Sequence, residues 1–173
     1  MATLERIVIG RNTHVDFGKR AVGVPAKIDT GADSSAVWAT KIRVDKDGVL
    51  RFALFGEGSP YYNGKIFKRT DYMVAKVRSS SGHEQIRYRT HFTVTVKGRR
   101  IKALFDLSDR SANLYPVLIG RRTIAGKFLV DVRERGLAHQ YKYATDNKAL
   151  NKELAKNPHK FYKKYHKPKE EAS

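Results

Sequence analysis

Asp29, Thr30, Gly31, Ala32 and Asp33 are the residues of this chain best suited to chemistry. They follow a strand-like run from Val22 to Ile28 and precede an apolar run, Ala36-Val37-Trp38-Ala39. A carboxylate set between two apolar segments is costly unless it finds a partner or shares a proton. Asp-Thr-Gly also suits an ordinary surface turn, because Asp and Gly are both turn residues. The chemistry on offer is acid–base. Two carboxylates facing across one water cannot both ionise easily, so they hold one proton between them. One takes a proton from the water and the other donates to a scissile carbonyl. Titration then belongs to the pair.

A second segment lies far downstream. Val117-Leu118-Ile119 is an apolar strand, Gly120-Arg121-Arg122 follows, and Thr123-Ile124-Ala125-Gly126 reads as a short helical turn before a last strand, Phe128 to Val132. With the Asp-Thr-Gly loop, this order resembles the retropepsin-like aspartic proteases. Arg78-Ser79-Ser80-Ser81-Gly82-His83, then Arg87-Tyr88, then Ala125-Gly126-Lys127-Phe128-Leu129-Val130-Asp131, is more similar to a bacterial and archaeal branch often labelled ATP-dependent zinc protease. The resemblance spans roughly residues 4–133, about three quarters of the chain. It implies an all-β closed barrel with a flap hairpin and one short helix. It also implies a catalytic loop of Asp29, Thr30 and Gly31, with Thr30 bonding across a dimer axis. Ala32, Asp33, Gly120 and Arg121 would bind substrate or brace the loop, Asp33 pairing with Arg121. Members of this branch are often associated with ATP-grasp enzymes that add glutamate to proteins. The distance from Asp29 to Gly120 is longer than in the retroviral enzymes, which requires an insertion.

Only one Asp-Thr-Gly is present. Asp106-Leu107-Ser108 follows an apolar strand but lacks the Thr and the Gly, and reads as a strand-end or turn Asp. The second carboxylate must therefore come from a second copy across a two-fold axis, which makes a homodimer part of the mechanism. A flap would exclude water over the substrate. The hairpin tipped by Ser79, Ser80, Ser81, Gly82 and His83 is the first choice and the Gly56–Gly64 loop the second; either also fits a plain surface loop. His83-Glu84 begins like a helical zinc motif, but Arg87 stands where the second His is needed. No phosphate-cradling glycine loop is present. No metal and no cofactor are expected.

These residues need a scaffold. Period-two alternation marks strands at 4–9, 22–28, 42–44, 50–55, 72–78, 86–96 and 101–105, with a strong hairpin turn at Asp45-Lys46-Asp47-Gly48. Such a series of strands predicts a β-barrel over residues 1–133. Residues 134–173 read as a basic tail, partly helical near 149–156 or disordered, with Pro158 and Pro168 as breaks. Tyr141, Tyr143, Phe161, Tyr162 and Tyr165 in this tail suit packing on the barrel, or contact with nucleic acid. The 173 residues carry a net charge of +18, of which +6 lies from residue 133 onward. Acidic partners are favoured: an acidic polypeptide substrate, or nucleic acid on charge alone. There are no cysteines, which excludes disulfides and thiolate chemistry. Neither a secretory leader nor a membrane span is read from the sequence, so cytoplasm is the expected setting. Three functions remain open: an aspartic endopeptidase, a non-proteolytic binding protein on the same fold, and a nucleic-acid-associated protein.

Overall fold

The computed structural model describes residues 6–78, 82–134, 136 and 148–166. Contacts divide the chain into two compact units, Met1–Ala138 and His139–Ser173.

Among its described residues the first unit has eleven strands and one short helix. In chain order the strands are β1 (Ile7–Ile9), β2 (Asn12–Phe17), β3 (Ala21–Ile28), β4 (Ser35–Val44), β5 (Leu50–Leu54), β6 (Ile66–Arg69), β7 (Met73–Arg78), β8 (Glu84–Val96), β9 (Arg99–Ser108), β10 (Val117–Ile119) and β11 (Phe128–Val130). Helix α1 spans Arg121–Ile124. Six strands close a ring in the order β10, β3, β2, β8, β9, β4 and back to β10. Closure removes the exposed edges an open sheet would carry. β5 and β6 extend the sheet from β4, and β7 pairs with the first half of β8.

Alternation explains which side chains fill the ring. Along β8, Thr90, Phe92, Val94 and Val96 point inward while their neighbours face outward. Phe17, Phe92 and Phe105 meet edge-on or tilted, with ring centroids 5.5–5.8 Å apart. Phe52 stacks on Phe67 at 5.2 Å. Val15, Val24, Val37, Val94 and Ile119 are fully buried around them.

The turns follow their residue types. Asp45 accepts from the backbone N–H groups of Asp47 and Val49, and Gly48 takes a positive φ of 74°. β4 is longer than the alternation implied: it starts at Ser35, absorbs the whole run through Trp38, and reaches Val44 past a register shift between Thr40 and Arg43. β6 follows the Gly56–Gly64 loop, in a stretch to which the alternation assigns no element. A separate parallel pair joins β1 to β11, Ile7 beside Phe128 and Ile9 beside Val130.

In the second unit two helices are described, α2 (Lys148–Lys156) and α3 (Pro158–Tyr165). The break expected at Pro158 falls between the two helices, α2 ending at Lys156, and Pro158 also opens α3. It occupies the first turn of α3, where its missing N–H costs nothing, and the Asn157 side chain caps the helix by accepting from the Lys160 N–H at 2.9 Å. Lys164 and the Tyr165 hydroxyl both bond Glu153, which ties α3 to α2. Tyr141 and Tyr143 lie outside the described residues. No helix among the described residues is long and apolar enough to cross a membrane.

Candidate active site

Strand register brings the two sequence segments together. β10 runs parallel to β3, with Ile119 beside Ile28, so both strands end at the same edge of the barrel. The Asp29 N–H donates to the Ile119 carbonyl at 2.9 Å, fixing the start of the loop. Asp29 is half-buried. Its Oδ1 accepts from the N–H groups of Gly31 at 3.0 Å and Ala32 at 3.2 Å. No hydrogen bond from the described residues reaches Oδ2. One oxygen is thus fixed by the loop and the other is open to a water or a second carboxylate.

Gly120 and Arg121 fasten this loop from behind. A Cβ on Gly120 would lie 2.4 Å from the Ser34 carbonyl oxygen and 3.0 Å from that of Ala32, so only glycine fits there. The Gly120 N–H donates to the Ser35 hydroxyl at 3.1 Å, and Ser35 shares a buried 2.7 Å hydrogen bond with Thr123. The Arg121 N–H donates to Ala32, while its guanidinium donates to the Gly31 carbonyl at 2.8 Å and the Thr30 carbonyl at 3.2 Å. The expected Asp33–Arg121 pair is long, 3.7 Å, and Arg122 approaches Asp33 more closely at 2.9 Å. The reason is competition: Arg121 directs its best donors to loop carbonyls, which leaves Asp33 to its neighbour. Ser35, Thr123 and Arg122 were not singled out from the sequence. Short polar residues next to a Gly-Arg segment carry no mark of the partner they will meet.

Asp106 is the strand-end residue of the two alternatives expected, and not a turn residue. It lies within β9, is 5% exposed, and forms an ion pair with Arg89 directly opposite on β8. The second Arg89 bond, Nη2 to Oδ2, is 3.3 Å. A buried carboxylate held by a guanidinium is neutralised within its own chain. It therefore has a structural partner in place of a catalytic one.

The β7–β8 hairpin projects from the barrel, with Lys76 and Arg78 both ion-paired to Glu84. Of the flap candidates, Gly82 and His83 are exposed near its tip, whereas Ser80 and Ser81 lie outside the described residues. The second flap candidate, Gly56–Gly64, is anchored at its start: Gly56 packs against Trp38, where a Cβ would come within 2.7 Å of the ring. Glu84 opens a strand, not a helix, so His83 and Glu84 do not make a zinc-protease motif. Among the described residues no group of three His, Asp or Glu is placed to hold a metal ion.

A closed six-stranded barrel with an Asp-Thr-Gly loop braced by Gly-Arg is the architecture of retropepsin-like proteins. The chain belongs to the RimB-like family, described as retropepsin-like aspartic endopeptidase RimB, whose model matches residues 8–140. Two curated relatives, from Shewanella pealeana and Shewanella halifaxensis, are each 31% identical over 121 residues, 66% of this chain, and are named probable alpha-L-glutamate ligase. The chain spans about a quarter of their length, 26%. A crystal structure of a protein of unknown function from Legionella pneumophila subsp. pneumophila shares the fold at 23% identity, with a TM-score of 0.60, covering 76% of this chain and 97% of that one.

Proposed function

We propose that this chain is an aspartic endopeptidase of retropepsin type that works as a homodimer, each copy giving one Asp29 to a shared water. The observation that supports this most is the state of the Asp29 carboxylate: Oδ1 is held by two backbone N–H groups and Oδ2 is left open. Pre-set geometry of this kind lowers the cost of reaching the transition state. In the reaction, one carboxylate takes a proton from water as the water oxygen adds to the scissile carbonyl carbon. The other, protonated, gives its proton to the carbonyl oxygen. As the C–N bond breaks, the first carboxylate gives the proton it took from water to the nitrogen and the second takes a hydroxyl proton from the adduct as the carbonyl reforms, so an acid and an amine result and the pair again holds one proton. Thr30 and Gly31 lie close to the axis in this arrangement, and Ala32 and Asp33 face the substrate backbone.

The β1–β11 pair fits a partner copy. Each strand has one edge without a partner among the described residues, and Val8, Leu129 and Val132 are exposed there. An acidic polypeptide suits the +18 charge and the glutamate chemistry in the relatives' names.

The test uses the full chain and acidic peptides. Asp29→Asn is expected to lower kcat about a thousand-fold or more. Mixing equal amounts of wild type and Asp29→Asn leaves only about a quarter of the pairs with both carboxylates, so activity falls below simple dilution. Full activity of Asp29→Asn, or strictly linear dilution, sinks the proposal. A second reading follows from the relatives' names: a binding module that presents an acidic chain to another enzyme. In that case Asp29→Asn changes nothing and peptide binding persists.

A further inference from the structure

The end of the barrel away from the Asp29 loop holds a pocket that the peptidase reading leaves unused. β3 runs from the turn at 18–20 to Ile28 beside that loop, so its 8 residues set the two about 25 Å apart. A cavity of about 370 Å³ opens between this turn, β6 and β8, a size that small ligands fill. Phe17, Phe67 and Phe92 are its apolar floor, and Lys19, Arg20 and Arg69 its charged rim. On β6 the mixture follows from period two: Phe67 and Arg69 share a face, with Phe67 turned in onto Phe52 and Arg69 half-buried.

Both arginines rest on the same ring. The Arg20 Cζ lies 4.5 Å and the Arg69 Cζ 5.4 Å from the Phe67 centroid, and the Arg69 Cζ is also 5.7 Å from that of Phe92. Sharing one ring brings the two guanidinium groups within reach of a single ligand. Burial pushes the Arg69 pKa below its ordinary value, and the charge of Arg20 lowers it further. Arg69 Nη1 donates to the Lys68 carbonyl at 3.1 Å, a neutral partner. No carboxylate among the described residues pairs with Lys19, Arg20 or Arg69.

Like charges gathered at a half-buried place repel, and one aromatic ring offsets only part of that. An anion between them would turn repulsion into attraction, since each guanidinium presents a planar fork of donors that fits an oxyanion. Carboxylate and phosphate both qualify by charge. Phosphate is the better match. Its oxygens are disposed tetrahedrally and accept from two guanidinium groups and an ammonium at once, whereas a carboxylate holds its acceptors in one plane. The flat guanidinium of the exposed Arg20, laid over Phe67, also gives a base a surface to stack on, which an acidic side chain does not use. We propose that Lys19, Arg20 and Arg69 bind a backbone phosphate of single-stranded nucleic acid, the neighbouring base lying on Arg20. A duplex cannot offer that base without unpairing it. The site is separate from Asp29, so a strand held there leaves the Asp29 loop uncovered.

The test measures binding of the full chain to a labelled single-stranded RNA of about twelve nucleotides. Arg20→Gln with Arg69→Gln is expected to weaken binding about ten-fold or more, and to make the slope of log K against log salt shallower by about one. Arg11→Gln with Lys27→Gln removes the same charge near the Asp29 end of β2 and β3, and should cost less than about three-fold. Arg20→Gln alone alters an exposed side chain, and should lose about three-fold at unchanged Tm, so the outcome does not hang on the half-buried Arg69. Asp29→Asn should bind the RNA as the wild type does. Equal losses in the two double variants would reduce the pocket to diffuse charge and overturn the proposal, as would no binding at all. Competition identifies the ligand. A Glu-rich peptide of matched length and charge should displace the RNA poorly; displacement as good as by unlabelled RNA assigns carboxylates and removes the phosphate site. Equal affinity for AMP, or for the matching duplex, also overturns the assignment to a single strand.

Discussion

Gly120 holds more of the loop geometry than its lack of a side chain suggests. Its position under the Ser34 and Ala32 carbonyls lets the backbone of the Arg121 segment approach the Asp29 loop. Gly120→Ala must push that backbone away, and is expected to cost about 2–3 kcal/mol of stability, read as a lower urea midpoint at unchanged slope. An unchanged midpoint would show that the close approach is dispensable. At this scale the sequence was partly legible. Asp29-Thr30-Gly31 and Gly120-Arg121 are contiguous, and their short-range geometry follows from residue type. Asp106 was not, because its role depends on Arg89 lying opposite on another strand, and nothing in Asp106-Leu107-Ser108 names that partner. Arg122 displaced Arg121 as the nearer partner of Asp33 for a similar reason: adjacent arginines are interchangeable in a sequence and distinct in space.

Among the elements, the β7–β8 hairpin is fastened near its tip by charge. Lys76 lies 2.6 Å and Arg78 3.1 Å from Glu84. Bonds from Lys76 first and Arg78 second hold the Glu84 pKa below its ordinary 4.5. A depressed carboxylate stabilises the folded form above its unfolded pKa and loses that contribution as pH falls through the lower, folded value. The hairpin should therefore hold its pairing at neutral pH and loosen only as pH falls below the ordinary glutamate range. Amide exchange of Val77 and Gln85 at pH 6 and pH 3.5, corrected for intrinsic rates, would show it; Glu84→Gln should remove the pH dependence while leaving the barrel amides untouched. Alternation along these strands made the hairpin visible from the sequence. The same rule failed for β6, since Ile66-Phe67-Lys68-Arg69 is short, follows a Gly- and Pro-containing loop, and gains its strand state from β5 alongside. Pro158 was legible as the end of α2 but not as the start of α3, because a residue that ends one helix is equally suited to open the next.

For the barrel as a body, closure depends on pairings between distant parts of the chain: β10 with β3 and β4, and β4 with β9 in parallel. Alternation says that strands exist but not which ones meet, so the ring order was not legible, and closure itself came only through family resemblance. Phe105 lies where several of these strands converge, fully buried against Phe17 and Phe92. Phe105→Ala is expected to remove about 3–5 kcal/mol. Chemical denaturation should show one cooperative loss in the barrel, and a drop under about 1 kcal/mol would mean that the ring closes without this aromatic contact.

The parallel pairing of β1 with β11 has a consequence for how such a barrel can be handed between proteins. Ile7 and Phe128 sit side by side on strands that run the same way, so the polypeptide comes in and goes out within one short strand length. A fold with that property can be spliced into another chain, or cut away from it, with its hydrogen-bond ring undisturbed. That portability suits the finding that the matched stretch makes up 26% of two much longer relatives.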